Sequence, residues 1–404
     1  MVSLETQARR LAQGPIESIA IDVARNCGVV RLRGGLGVST PITFPATGGQ
    51  PSIAHMLYSF ADRTLQVTTE AGERATIEIG QPGEAVRGTG ARVAYLDQCH
   101  WSALDRHLHE PSALAGDEAV AADTLIEWAR AGRIILPLSS GHVIETIPLF
   151  GSKRRRLALT MLELSRGWHM RDPVLVRGEE ILRVLGADAP GTHGPIEPFS
   201  LDPDGLYLNT TAPPEPTDLP GYVGWLCHRL TSVAANFDLL IDTERIPPEK
   251  STAWCGQMAA IGRSPEFRRL PTARRRTAAH IQAIYDAVAE ESVLTQLQQV
   301  GLAPERAAAL LIGGLQGRRE TMPFLRLYAD ALGVRLLNPT TKWVPNDLID
   351  MLYLGCAAAY ADAVAAEHTA AVYLTSAWHD RPETCPVVPT LSRLVAVLES
   401  QGLA

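Results

Sequence analysis

Apolar and polar residues follow two different periods along this chain of 404 residues. Over 16–22, 28–33, 64–68 and 75–79, the residues alternate in polarity or are β-branched, and Gly and Pro lie between these stretches. Alternation with a period of two is typical of strands that bury one face. We therefore predict a small β-rich domain over residues 1–90.

A glycine-rich run, Gly34-Gly35-Leu36-Gly37, follows the second of these stretches. A phosphate-binding loop is one interpretation, but such a loop continues into Lys-Ser/Thr and a helix, and this run does not. We therefore predict a hairpin turn or a bulge.

Beyond residue 188 the composition changes twice. Residues 189–220 are rich in Pro, Gly and Asp, which predicts a linker or a long surface loop. Residues 221–336 are Ala-rich and amphipathic with helical spacing, which predicts a helical insertion with helices at 274–288, 293–300, 304–315 and 322–332. Residues 380–404 are predicted to end the chain in a helix from Thr390 to Gln401.

An apolar run over 92–96 stops abruptly on a charge at Asp97. Apolar, β-branched and aromatic residues along the whole run favour a buried strand of a parallel sheet. Ligands of open α/β folds bind beyond the carboxyl ends of such strands, so Asp97 is a candidate ligand position. The alternative is that Asp97 caps the next helix, as Asp often does.

Further acidic residues occupy comparable places. Glu145 lies in the first turns of a helix that follows a short apolar strand and a Ser/Gly turn. Asp347 and Asp350 open another helix, and their spacing of three places them on one face. A last apolar stretch, 362–368, again ends near a carboxylate, Glu367.

These segments resemble the PIN-domain nuclease superfamily, specifically its bacterial PIN-like group. The matching pieces are Leu96-Asp97, Pro137-Leu138-Ser139 with Glu145-Thr146, Asn346-Asp347 with Asp350, and Tyr360-Ala361-Asp362 leading to Glu367. The resemblance covers 91–188 and 337–379. It implies an α/β fold, a PIN-like three-layer sandwich with a mainly parallel sheet. The chain departs from the family in the long segment 189–336 between the two halves and in Glu367, where Asp is usual.

Carboxylates gathered in one crevice point to a hard cation. Mg²⁺ and Mn²⁺ prefer oxygen ligands, and Mg²⁺ is held by one or two carboxylates together with water and substrate phosphate. The predicted ligand set for Mg²⁺ or Mn²⁺ is Asp97, Glu145, Asp350 and Glu367, and Asp347 is the next candidate, as an additional ligand or as a residue that orients one.

Asp362 competes with Glu367 for the last ligand position. If both lie on one extended strand, five residues separate them by roughly 16 Å, too far to share one small metal centre. We favour Glu367, because it lies at the carboxyl end of the strand. Asp362 is then expected to begin the strand or to meet a basic partner.

Two arginine-rich runs are candidates for nucleic-acid binding, since the net charge of −7 leaves affinity for phosphates to local patches. The predicted contacts are Lys153, Arg154, Arg155 and Arg156 in the first run, which follows Glu145, and Arg268, Arg269, Arg274 and Arg275 in the second. Phe267 could stack on an unpaired base. The alternative for each run is a solvated helix face.

Composition sets outer bounds on the class of protein. Hydrophobic residues make up 46% and mean hydropathy is near zero, as in globular proteins with a sizeable core. No apolar run is long enough to cross a membrane and no signal segment is evident, so we expect a cytoplasmic protein. The six scattered cysteines predict reduced, mostly buried thiols.

The sequence as a whole predicts a metal-dependent endoribonuclease. The resemblance implies single-stranded or structured RNA as substrate and a product with a 5′-phosphate. By family analogy, a role as a toxin or defence effector would add an inhibitory or regulatory protein as partner. A homo-oligomer is a separate possibility. Two alternatives stay open: a non-catalytic binding protein of the same fold, and a metal-independent hydrolase that uses two carboxylates as acid and base.

Overall fold

The computed structural model describes 16–23, 27–41, 53–81, 89–110, 112–185, 195–206, 222–241, 252–299, 301–314, 321–338, 342–379 and 384–403, with Gly14, Arg25, Val86 and Thr340 as single positions. Within these ranges the chain is a mixed α/β structure with one antiparallel and one small parallel sheet, which confirms the predicted α/β class.

Six strands near the start of the chain form the antiparallel sheet, in the order β3-β2-β1-β4-β5-β6. They are β1 (Ile16–Asp22), β2 (Cys27–Leu32), β3 (Gly37–Pro41), β4 (Ile53–Ser59), β5 (Thr64–Thr69) and β6 (Arg74–Glu78). Side chains on β5 alternate between buried and half-buried, as expected where one face of a sheet is covered. Gly34 and Gly35 both have positive φ, and the Leu32 amide donates to the Leu36 carbonyl across them. The predicted hairpin turn is confirmed.

The parallel sheet has the order β12-β11-β7-β8. Its strands are β7 (Arg92–Leu96), β8 (Ile134–Ile135), β11 (Ala363–Ala365) and β12 (Val387–Val388). A parallel bridge from Leu138 to His169 extends it to β9 (His169–Met170), which pairs antiparallel with β10 (Phe199–Ser200). From β7 the chain moves outward on one side through β8 and β9, and later on the other side through β11 and β12. The strand order therefore reverses between β7 and β11.

Both faces of the parallel sheet are covered. On β7, Ala94 and Leu96 belong to one hydrophobic core, and Val93 and Tyr95 belong to a second core. Each of these side chains is at most 3% exposed. Burial on both faces explains why the run over 92–96 is apolar throughout rather than alternating.

Helices connect the strands and form the segment between the two halves of the parallel sheet. They are α1 (Gln98–His109), α2 (Asp117–Arg130), α3 (Ser140–Thr146), α4 (Gly151–Ser165), α5 (Pro173–Val184), α6 (Tyr222–Ile241), α7 (Thr252–Arg263), α8 (Pro265–Arg269), α9 (Thr272–Val288), α10 (Glu291–Gln299), α11 (Pro304–Gly314), α12 (Pro323–Leu337), α13 (Pro345–Tyr360), α14 (His368–Trp378) and α15 (Leu391–Ser400).

The antiparallel sheet packs on α4 and on the residues that directly follow this helix. Glu78 of β6 accepts hydrogen bonds from the Arg166 guanidinium and from Trp168 Nε1, the latter at 3.2 Å. The core on the Leu96 face of the parallel sheet also includes β5 and β6 side chains, among them Leu65 and Ile77. One continuous core therefore joins the two sheets.

Several predicted boundaries need correction. The strand predicted over 362–368, β11, covers only Ala363–Ala365, because Asp362 and Glu367 lie outside the ladder at its two ends. The predicted linker contains β10 and a short 3-10 turn, Pro203–Gly205; its remaining parts, 189–194 and 207–220, lie outside the described residues. The C-terminal segment holds β12 as well as the predicted helix.

Among the described helices, none combines the length and the apolar character that crossing a membrane requires. All six cysteines are free, in agreement with the prediction of reduced thiols. Only Cys356 is buried, however, so the prediction that most of them are buried is wrong.

Candidate functional site

Two of the predicted acids meet where the strand order reverses. Asp97 follows β7, Glu367 follows β11, and these neighbouring strands pair in parallel with Leu96 opposite Ala365. The Glu367 amide donates to Asp97 Oδ2 at 3.1 Å. The two residues therefore lie beside each other at the carboxyl edge of the sheet, the place where α/β folds bind ligands.

Asp97 also has the alternative role considered from the sequence. Its Oδ1 accepts from the Gln98 amide at 2.8 Å, and it is the N-cap of α1. The capping role and the edge position are thus compatible. Both hydrogen bonds come from backbone amides, which fix the carboxylate without neutralising its charge.

Glu145 reaches the same edge on α3. Ser139 caps this helix, and its amide donates to His142 Nδ1 at 3.1 Å. The His142 Nε2 then donates to the Leu96 carbonyl at 2.7 Å, directly before Asp97. Burial lowers the pKa of His142 to about 4, so the ring is neutral and serves as a fixed link between α3 and β7.

Asp350 lies on α13, whose Tyr353 contacts α3. Ser140 Oγ and the Tyr353 hydroxyl are 2.6 Å apart. A side chain at Gly141 would lie 3.1 Å from the Tyr353 ring, so glycine permits this approach of the two helices. The contact sets Glu145 and Asp350 on adjoining elements.

Asp97, Glu145, Asp350 and Glu367 are called the carboxylate cluster below. Burial raises the pKa of Asp350 to about 8, with further increases from the negative charges of the other three members and of Asp347. Burial and the charge of Asp97 raise the pKa of Glu145 to about 7. The cluster members are therefore close enough to repel one another, as like charges in a partly desolvated crevice do.

Three of these carboxylates also have no protein partner among the described residues. The side chains of Glu145, Asp350 and Glu367 take part in no ion pair and no hydrogen bond in that part of the chain. Asp350 and Glu367 line a cavity of about 200 Å³. Acids that are neither paired nor fully solvated are costly unless a cation or a proton compensates them.

Asp347 differs from Asp350, although both begin α13. Its Oδ2 accepts from the Arg335 guanidinium at 2.6 Å and from the Val344 amide at 2.7 Å. The side chain thus closes the start of its helix and neutralises an arginine. This engagement favours the orienting role over that of an additional ligand.

Asp362, the rejected candidate, lies at the opposite edge of the sheet. Its Oδ1 forms an ion pair with Arg92 at 2.8 Å, and its Oδ2 accepts from the Val93 amide at 2.8 Å. The expected basic partner is therefore Arg92. Asp362 precedes β11 and Glu367 follows it, so Asp362 is not at the edge where the carboxylate cluster lies.

The donor chemistry of the carboxylate cluster fits Mg²⁺ or Mn²⁺, since it offers only carboxylate oxygens. Among the residues that the structure describes, no three His, Cys, Asp or Glu side chains converge closely enough to enclose an ion by themselves. A Mg²⁺ site does not need three, because one or two carboxylates with water and substrate phosphate suffice.

The first arginine-rich run does not form the predicted phosphate-binding surface. Arg154 is fully buried and donates to the Leu239, Leu240 and Ile147 carbonyls, so its assignment as a nucleic-acid contact is wrong. Arg155 pairs with Glu73 at 2.5 Å. Arg156 pairs with two further acids, Asp105 at 3.1 Å and Glu110 at 2.9 Å.

Lys153 is the one member of that run that is both exposed and without an acidic partner among the described residues. A single lysine has little affinity for a polyanion, because each phosphate contact contributes only a small share of the binding free energy. The run is therefore a weak candidate surface.

The second arginine-rich run is different. Arg268, Arg269 and Arg274 are exposed, Arg275 is half-buried, and none of them pairs with a carboxylate within the described ranges. For these four residues the nucleic-acid contact stays a prediction. Phe267, however, is buried, so the proposed stacking of a base on its ring is wrong.

Sequence reasoning missed Arg335. Its guanidinium lies over the rings of Trp343, at 5.1 Å, and Tyr373, at 5.7 Å, while it holds Asp347. It lines the same cavity as Asp350 and Glu367. No local signal marks it, because Arg335 lies near the end of an otherwise ordinary apolar helix.

Comparison of the chain with protein-family models, with curated proteins and with solved structures gave no match.

Proposed function

We propose that this chain is a Mg²⁺- or Mn²⁺-dependent nuclease that hydrolyses phosphodiester bonds, with RNA as substrate. One observation carries the proposal. Four carboxylates from four separate segments gather at the carboxyl edge of a parallel sheet where the strand order reverses, and Glu145 and Asp350 of this cluster have no protein partner among the described residues. Such an arrangement suits a cation that brings a phosphate with it.

The proposed fold of the catalytic part is the PIN-like sandwich that the sequence resembles, formed by 91–188 and 337–379. A parallel sheet with cores on both faces supports it. So does the way in which strands of both halves pair directly, with β7 of the first half beside β11 of the second. The intervening helices then count as an insertion that leaves the sheet continuous.

In this proposal the members of the carboxylate cluster hold the cation and position the scissile phosphate. Mg²⁺ or Mn²⁺, when bound, supplies charge compensation and lowers the pKa of water for attack on phosphorus. Asp97 is held in place by two backbone amides, which suits a residue that binds directly. Burial and mutual repulsion favour the protonated forms of Glu145 and Asp350, and a bound cation would favour the charged forms, which could act as ligands or accept a proton from water.

The experiment that tests the proposal is incubation of the purified chain with a panel of RNA and DNA, single-stranded and structured, with Mn²⁺, with Mg²⁺ and with EDTA. We expect cleavage of RNA in the presence of either metal and none in EDTA. Products should carry a 5′-phosphate. Absence of cleavage of every nucleic acid with both metals would contradict the proposal.

The raised pKa values of Glu145 and Asp350 also favour a second candidate. A carboxyl group that keeps its proton near neutral pH is what a metal-independent hydrolase uses as general acid. Such an enzyme would retain its activity in EDTA, so the same experiment separates the two. Calorimetric titration with Mn²⁺ identifies the third case, a binding protein whose carboxylates take up no metal.

A further inference from the structure

A second cavity lies beside the carboxylate cluster. It encloses about 390 Å³ between α7, the end of α12 and the segment that leads into α13. Arg263, Arg335, Asn338, Lys342 and Trp343 are among its lining residues. We call it the cationic cavity, because three of its lining residues carry a positive charge and none carries a negative one.

Two of these cations are available to a ligand. Arg263 and Lys342 are exposed, and neither pairs with a carboxylate in the described part of the chain. Arg263 Nε donates to the Ala259 carbonyl at 3.0 Å, which fixes the stem and leaves the terminal nitrogens directed elsewhere. Arg155 and Arg156, by contrast, are neutralised in ion pairs with Glu73 and Asp105.

Arg335 joins this cavity to the carboxylate cluster. The same residue lines the cavity of about 200 Å³ that contains Asp350 and Glu367. Its guanidinium is held in position by Asp347 and by the ring of Trp343. An anionic chain that crosses Arg335 would therefore reach the carboxylate cluster on one side and Arg263 with Lys342 on the other.

The exposed arginines of the second run continue outward from the cationic cavity. Arg268 Nε donates to the carbonyl of Gly262, a residue that lines the cavity, at 3.2 Å. Arg269 lies next along the chain, and Arg274 follows at the start of α9. Arginine forks match phosphate oxygens, so a series of them suits a polymer of phosphates better than a single free phosphate.

We propose that the cationic cavity binds backbone phosphates of single-stranded nucleic acid beside the bond that is cut, with Arg263 and Lys342 as the contacts. This rests on the proposed nuclease function only for the position of the cut, since the binding itself needs no metal. A single strand is favoured, because one backbone has to pass from one recess to the other across Arg335.

The test measures binding in EDTA, where the proposed cleavage does not occur. A fluorescently labelled short RNA is titrated with the wild-type chain and with Arg263→Gln/Lys342→Gln, which keeps most of each side-chain stem. We expect affinity at low salt to fall about tenfold or more. The slope of log K against log salt should fall in magnitude by about 1.4, which corresponds to two lost phosphate contacts on a single strand.

A matched control removes two exposed arginines that line neither cavity, in Arg106→Gln/Arg306→Gln. We expect its affinity to stay within about twofold and its slope to change by less than the loss of one contact, about 0.7. Equal losses in the two double variants, or wild-type binding by Arg263→Gln/Lys342→Gln, would overturn the proposal. Circular dichroism of both variants checks the fold, which exposed substitutions should leave intact.

Competition distinguishes the sources of phosphate. Unlabelled single-stranded RNA should displace the probe far better than duplex RNA, and a mononucleotide or inorganic phosphate should displace it weakly. Equal competition by inorganic phosphate would overturn the assignment to a polymer, and preference for the duplex would overturn the single strand. If binding depends on Arg263 and Lys342 but no nucleic acid is cut with Mn²⁺ or Mg²⁺, the nuclease proposal fails and the binding site stands.

Discussion

Acidic residues at the two edges of the parallel sheet differ in whether protein groups neutralise them. At the amino edge, Asp362 meets Arg92, accepts from the Val93 amide, and its carbonyl accepts from Gln401 Nε2 at 3.0 Å. At the carboxyl edge, Asp350 and Glu145 have no partner within the described ranges, and their pKa values are raised. Asp362, which supports the fold, is neutralised by Arg92. The charges of Asp350 and Glu145 are left to be compensated by a bound cation or a proton.

The difference between the edges is sharpest for catalysis. We expect Asp97→Asn or Asp350→Asn to reduce cleavage of RNA at least about 100-fold, since loss even of residues that only orient a metal ligand costs 10- to 100-fold. Asp362→Asn should cleave at a rate close to that of the wild type. Initial rates with Mn²⁺ are the measurement, with melting temperatures to show that the variants are folded. An Asp97→Asn chain as active as the wild type would contradict the metal assignment.

Glu367 allows a finer comparison at the carboxyl edge. Its carboxylate has no partner among the described residues and extends further from the backbone than that of Asp. Glu367→Gln removes the charge and should reduce cleavage about tenfold or more, whereas Glu367→Asp keeps the charge and should be impaired only a few-fold. Equal activity of Glu367→Gln and the wild type, together with an inactive Asp362→Asn, would transfer the ligand role to Asp362.

The amino edge should respond in stability instead of activity. Asp362→Ala removes the acceptor of the Val93 amide and the partner of Arg92, so the free energy of unfolding should fall by about 1–2 kcal/mol. Urea denaturation without added metal is the measurement. Asp350→Asn serves as the opposite control, because it replaces a carboxyl group whose charged form is disfavoured by burial and by the neighbouring acids, and it should leave the chain equally or more stable. A loss of stability in Asp350→Asn as large as that in Asp362→Ala would contradict the claim that only the acid at the amino edge stabilises the fold.

Much of this arrangement could be predicted from local sequence, because it depends on where strands end. The apolar run before Asp97 and the position of Glu367 after a short apolar stretch place both acids at one edge once the two strands pair in parallel, as β7 and β11 do. The choice of Glu367 over Asp362 followed from the rise of a strand, which separates the two acids, and from the position of Glu367 at its carboxyl end. The helices predicted over 274–288 and 304–315 correspond closely to α9 and α11.

Partners distant in sequence could not be predicted. The sequence around Arg155 and Arg156 is as rich in arginine as that around Arg268 and Arg269. Glu73, the acid that neutralises Arg155, is 82 residues away in sequence. Asp347 and Asp350 likewise share a helix face, and only the tertiary position of Arg335 separates their roles. Charge patterns locate residues that face a surface or a crevice; the fold decides which of them keep an unpaired charge.

We also predict a pH dependence of stability without metal. Asp350 and Glu145 have ordinary pKa values of 3.8 and 4.5, and in the folded chain these rise to about 8 and about 7. The folded state therefore binds more protons than the unfolded state between about pH 4 and pH 8, and stability falls as pH rises through this range.

In EDTA, the melting temperature of the wild type should fall by a few degrees more over that range than that of Asp350→Asn. Mn²⁺ should remove most of this difference, because a bound cation offsets the repulsion. Parallel pH profiles of the two chains in EDTA would mean that Asp350 is not held in a repelled state, and the carboxyl edge would then differ from the amino edge only in its hydrogen bonds.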